Sequence, residues 1–167
     1  MGSAFTVQYK KIENTLHTTI EINANGKSIK GVALWDTGAT ACCISHRAAV
    51  QLGLISTGKA NMTTPNQTSE KDTYLVDIVL PNSVALNDVM VIDSDIENQH
   101  IEMLIGMNII NQGDMAVSNY DNKTTFTFKM PSESKIDYVK QIRVSNLIGV
   151  PHGQGKRKKN KSKKKKK

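Results

Sequence analysis

The sequence predicts an all-β, mostly antiparallel domain of a single lobe, carrying one or two short helices. Three observations predict it. Apolar and polar residues alternate with period two in several short runs, turn signals separate those runs, and helical periodicity is confined to a few short stretches. At 167 residues the chain has room for one ordinary domain with a tail.

The elements follow in order. Leu16, Thr18, Ile20 and Ile22 alternate with His17, Thr19, Glu21 and Asn23, the pattern of a strand with one buried face. Asn25-Gly26 then predicts a tight hairpin, because both central residues of a type I′ turn need positive φ. The return strand, about Ser28 to Trp35, delivers the chain to Asp36-Thr37-Gly38-Ala39. Ser45 is the expected N-cap of a short helix, His46 to Leu52, that Gly53 closes. A second hairpin is expected between Lys59–Thr64 and Thr73–Leu80, with Pro65 to Glu70 projecting into solvent between its arms. Tyr74, Val76, Ile78 and Leu80 share one face of the second arm, and Leu75 and Val79 suggest cover on the other. Pro81-Asn82 turns the chain into a strand at Val89–Ile92, and Met103-Leu104-Ile105-Gly106 reads as a buried strand ending on glycine. Asn108 is placed to cap a helical turn or two, and Met115–Ser118 and Thr124–Met130 pair across a turn at Asp121-Asn122. Ile136, Val139 and Ile142 near helical spacing predict a short helix within 131–148, and 149–167 is expected to be a disordered, Lys-rich tail.

Charge separates the body from that tail. The chain has 22 basic and 15 acidic residues, formally +7, yet ten of the twelve residues from Lys156 to Lys167 are basic. Residues 1–155 hold twelve basic against fifteen acidic residues, which excludes a uniformly basic nucleic-acid-binding fold. The tail alone is expected to make weak, salt-sensitive contact with polyanions. The apolar runs are too short to span a bilayer, so no membrane insertion is expected, and the first residues lack the pattern of a secretory signal. Cys42 and Cys43 are neighbours that a strand would point to opposite faces, which suggests two reduced thiols and a cytoplasmic setting. His17, His46, His100 and His152 are scattered, so no metal site is expected, and no cofactor motif is present. His46 itself is expected to be a solvated helix residue, and Trp35 a core residue with one indole hydrogen bond.

The chemistry concentrates in Ala33-Leu34-Trp35-Asp36-Thr37-Gly38-Ala39-Thr40. An apolar strand carries a carboxylate to a dry cleft, and a glycine lets backbone N–H groups approach it. Such an arrangement suits peptide hydrolysis by paired carboxylates, since two in contact share one proton and titrate as a unit. Seventy residues on stands Leu104-Ile105-Gly106-Met107-Asn108-Ile109-Ile110, an apolar strand, a glycine and then a short helix with a polar residue two positions on. With the hairpin between them, the two motifs resemble the retropepsins, the retroviral-type aspartic proteases, over roughly residues 15–130. The resemblance implies a closed acid-protease barrel over 1–130, with a C-terminal extension at 131–148. It makes Asp36 the catalytic residue, Thr37 the hydroxyl bridging two catalytic loops and Gly38 the backbone donor. Ala39 and Thr40 would border the substrate backbone. Pro65, Asn66 and Gln67 would belong to a lid, Thr64 to Ser69, over bound peptide. Gly106, with Asn108 two residues on, would let the second strand pass beneath the catalytic loop.

One Asp-Thr-Gly occurs, whereas the mechanism needs two carboxylates. The implied enzyme is therefore a homodimer acting on extended polypeptide, with one Asp36 from each chain. Three features depart from the family pattern. Thr40 and Met107 stand where retropepsins commonly have Asp and Arg, and the expected lid contains no glycine. The alternative is a non-catalytic, dimeric peptide-binding module of the same fold, localised by its basic tail. In retropepsins the chain termini interleave into a sheet, and here Phe5 to Tyr9 would supply an N-terminal interface strand.

Overall fold

A computed structural model describes residues 2–64 and 67–148, with the side chains of Thr64 and Gln67 outside the description. The chain divides into two units, one running to Glu133 and the other from Ser134. In the first, the hairpin of β2 (Leu16–Ala24) and β3 (Lys27–Trp35) turns on Asn25 and Gly26 at φ 52° and 71°, as the tight turn requires. β4 (Cys42–Ser45) leads directly into α1 (His46–Leu52). The Ser45 hydroxyl accepts the Ala48 N–H at 3.1 Å, and Gly53 ends the helix in left-handed backbone at φ 63°. β5 (Gly58–Thr64) and β6 (Gln67–Leu80) form the long hairpin, and β7 (Val84–Ser94) returns along β6.

β8 (Met103–Ile105) then inserts between β3, to which it is parallel, and β4, to which it is antiparallel. The sheet order is β2-β3-β8-β4-β7-β6-β5, and β2 also pairs with β6. That last pairing closes six strands into a barrel and leaves β5 outside as the outer arm of a hairpin. After α2 (Met107–Ile110), β9 (Asp114–Ser118) and β10 (Thr125–Met130) form a three-stranded sheet with β1 (Ser3–Gln8), in the order β1-β10-β9. The strand expected at Phe5 to Tyr9 is thus engaged on one edge by β10 of its own chain. Its Phe5 packs with Trp35, Phe126 and Phe128 at centroid separations of 5.7–6.1 Å, joining the small sheet to the barrel. Trp35 is a core residue whose indole N–H donates to the Thr18 hydroxyl at 3.0 Å.

Four expectations need correction. Strand pairing in the long hairpin continues to Thr64↔Gln67, so Gln67 to Glu70 belong to β6 and not to a solvent loop. β-branched Thr63 and Thr68 face each other there with their hydroxyls 3.2 Å apart, a cross-strand pair that favours extension of the ladder. Leu75 is 48 % exposed opposite Met90, so the second face of β6 is open at that point. The strand expected at Val89–Ile92 begins at Val84, because cross-strand pairing with β6 carries it back to the turn. Asn108 does not cap α2; Gly106 occupies the N-cap position, and the Asn108 side chain is used for tertiary bonds. In the second unit α3 (Tyr138–Ile148) is the expected helix, starting after Ile136. The residues expected to form the disordered tail, 149–167, lie outside the described residues.

Candidate active site

Asp36 follows the last residue of β3. Because β3 runs parallel to β8 with Trp35 opposite Ile105, the ladder continues past the strand end, and the Asp36 N–H donates to the Ile105 carbonyl at 2.9 Å. The loop then closes on itself, with the Ala39 N–H 3.3 Å from the Asp36 carbonyl. Gly38 donates its N–H to Asp36 Oδ1 at 2.7 Å, and a Cβ there would lie only 3.1 Å from that oxygen. The glycine thus presents a backbone donor to the carboxylate at a distance that any side chain would crowd. Asp36 is half-buried. Thr37 beside it is exposed, and its hydroxyl has no partner among the described residues.

Gly106 lies directly beneath this loop. A Cβ on it would sit 2.5 Å from the Ala41 carbonyl oxygen and 2.9 Å from that of Ala39. Met107 donates its N–H to the Ala39 carbonyl at 2.8 Å, and Gly106 donates to Cys42 Sγ at 3.3 Å. Asn108 completes the fastening: its Oδ1 accepts the Cys42 N–H at 2.9 Å, and its Nδ2 donates to the Met90 carbonyl at 3.1 Å. The segment from Gly106 to Asn108 therefore bonds both ends of the stretch 39–42 and ties it to β7.

Asp36, Gly38, Ala39 and Thr40 line one wall of an open cleft of about 530 Å³. Asn61, Met62 and Thr63 of β5, with Cys43, Ile92, Ile96 and Leu104, line the rest of it. Gly106 and Asn108 are not among the residues that line the cleft. Thr37 faces a neighbouring cavity of about 450 Å³, together with Asn14, Thr15 and Met115. Of the expected lid residues, Gln67 is described only as the strand partner of Thr64, and Pro65 and Asn66 lie outside the described residues. The cleft-lining Cys43 and Leu104 were not expected as site residues from sequence, although strand alternation beside buried Cys42, and between buried Met103 and Ile105, marks both as facing away from the core. Burial, and then the negative charge of Asp36, push the Cys43 thiol up to about 11, so it is protonated at neutral pH.

The buried Asp93 carboxylate of β7 accepts the hydroxyl of Tyr74 on β6 at 3.0 Å and pairs with Nδ1 of His46 on α1 at 3.1 Å. His46, expected to be merely solvated, is exposed but partnered. That hydrogen bond, and then the Asp93 charge, raise its pKa above 6.5.

A closed barrel, an Asp-Thr-Gly loop at the end of an inner strand and a long hairpin together define the retropepsin-like aspartic protease fold. The family described as "gag-polyprotein putative aspartyl protease" matches residues 20–112, which include both the Asp36 loop and the Gly106 motif, and the chain belongs to that family. Among solved structures, a retropepsin-like aspartic protease from Rickettsia conorii shares the fold at a TM-score of 0.50 and 14 % identity, covering 78 % of this chain and 96 % of that one. The simian foamy virus (mac) protease is similar at a TM-score of 0.41 and 19 % identity, over 56 % of this chain and 89 % of its own. The retroviral protease-like domain of Ddi1 from Leishmania major is similar at 0.40 and 14 %, over 59 % and 78 %. No curated protein sequence matches significantly.

Proposed function

We propose that the chain is an aspartic endopeptidase that works as a homodimer, with one Asp36 from each protomer forming the catalytic pair. One observation carries the reading: a half-buried Asp36, one oxygen held by Gly38, stands at the wall of an open cleft, in a chain with a single Asp-Thr/Ser-Gly. Two such carboxylates brought together cannot both ionise, so they hold one proton between them. The ionised member takes a proton from a water, whose oxygen attacks the peptide carbonyl carbon. The protonated member donates to the carbonyl oxygen, and collapse of the tetrahedral intermediate breaks the C–N bond as the amine takes up a proton. Thr37 is the proposed contact between the two catalytic loops, and Ala39 and Thr40 border the substrate backbone.

The substrate is an extended segment lying beneath the β5–β6 hairpin, with Met62, Ile92, Ile96 and Leu104 forming an apolar cleft wall. The dimer interface includes β1, which in the sheet order β1-β10-β9 is an edge strand. A reducing, cytoplasmic setting belongs to the same proposal, supported by the two adjacent free thiols.

The test is cleavage of an unfolded polypeptide at mildly acidic pH. Inhibition by a statine-type transition-state mimic is expected, and Asp36→Asn should lower kcat/KM by about 10³-fold or more. A wild-type protein inert from acidic to neutral pH, at concentrations where it is dimeric, would leave only the peptide-binding reading.

A further inference from the structure

The second unit carries a surface that peptide hydrolysis does not use. α3 has no buried residue. Tyr138, Val139, Ile142, Val144, Leu147 and Ile148 are all exposed, Leu147 and Ile148 at 87 % and 69 %. The only charged residues of the helix are Lys140 and Arg143, and after seven intervening residues the ten-charge run 156–167 begins. Residues 134–167 hold thirteen basic residues against one acidic, whereas 1–133 hold nine against fourteen. One short segment thus combines an exposed helix, six of whose eleven residues are apolar, with the chain's whole excess of positive charge.

We infer that residues 134–167 form a peripheral attachment module for an anionic lipid bilayer. A helix that inserts exposed apolar side chains into the headgroup layer and a polybasic run over anionic lipid are each weak anchors, and together they give stable attachment. No helix of the described residues is long and apolar enough to cross a membrane, so the helix lies along the surface. Nucleic acid fits less well. A phosphodiester backbone leaves the six apolar side chains in water, and no aromatic residue follows Tyr138 to stack on bases. The net-acidic first unit is repelled by any polyanion, which confines the contact to the module. The inference is independent of whether the cleft hydrolyses peptides.

The experiment is co-sedimentation of the full chain with lipid vesicles at near-physiological salt, comparing pure phosphatidylcholine with vesicles containing about 30 % phosphatidylglycerol. Binding to the anionic vesicles is expected to be at least about tenfold tighter and to be lost at high salt. The double variant Ile142→Ser/Leu147→Ser and, separately, the set Lys163→Gln through Lys167→Gln are each expected to weaken it about tenfold, and the serine variant to leave thermal stability unchanged because Ile142 and Leu147 are exposed. Three outcomes would overturn the inference: no binding to anionic vesicles, binding that the serine variant leaves intact, or tighter binding to RNA than to the vesicles. A serine variant that dissociates a dimer would instead assign the helix to a second copy of the chain, and would equally reject the bilayer.

Discussion

Gly106 shows how closely the site is packed. The atoms that an added methyl group would meet belong to the Ala39 and Ala41 backbone, which cannot swing aside as a side-chain tip can. Gly106→Ala is therefore expected to cost about 1–3 kcal/mol and to displace the Asp36 loop, so that activity falls further than stability does. Chemical denaturation alongside kcat/KM checks both. His46 makes a different kind of prediction. Its folded-state pKa is raised by Asp93, so the pair's contribution to stability is full below pH 6.5 and is lost as pH rises through the folded value. Thermal unfolding between pH 6 and 8 should show wild-type Tm declining relative to His46→Gln across that window. Parallel curves for the two proteins would remove the pair from any part in stability.

Among the elements, α2 is the one whose small size misleads. Four residues long, it contributes little helix energy of its own, yet Asn108 within it bonds β4 and β7 together. Asn108→Ala strands the Cys42 N–H and the Met90 carbonyl at once, and should destabilise by about 1–3 kcal/mol on denaturant unfolding. Asn108→Asp keeps an acceptor for Cys42 while losing the donor to Met90, and is expected to fall between. The long hairpin instructs in the opposite direction. Its Thr- and Gln-containing arm reads as a polar loop in isolation, yet pairing extends it to within two residues of the tip. An exposed ladder asks only that its residues tolerate extended backbone, which threonine does well, so polarity was a poor guide to where the strand ends.

For the molecule as a whole, the decisive property is that one chain carries one carboxylate of the proposed pair. Specific activity is therefore expected to rise with protein concentration until the dimer saturates. Mixing wild type with an equal amount of Asp36→Asn, after exchange, should reduce activity to about half, since half of the wild-type chains then sit in mixed dimers. Activity that stays proportional to wild-type chain at every dilution would show that a single protomer suffices.

Local sequence carried the hairpin at Asn25-Gly26, the Ser45 and Gly53 caps, the Asp36 loop and the glycine of the second motif, because each rests on backbone geometry or short-range hydrogen bonding that neighbouring residues specify. Other features depend on partners far along the chain. The insertion of β8 between β3 and β4, the closure of the barrel through β2 and β6, the link from Asn108 to Cys42 and Met90, and the cleft shared by Asp36, Met62 and Leu104 join residues from different strands. No window of sequence holds both ends of such a contact. Strand pairing and core packing chose among the many partners that composition allowed, and that choice was made only when the chain folded.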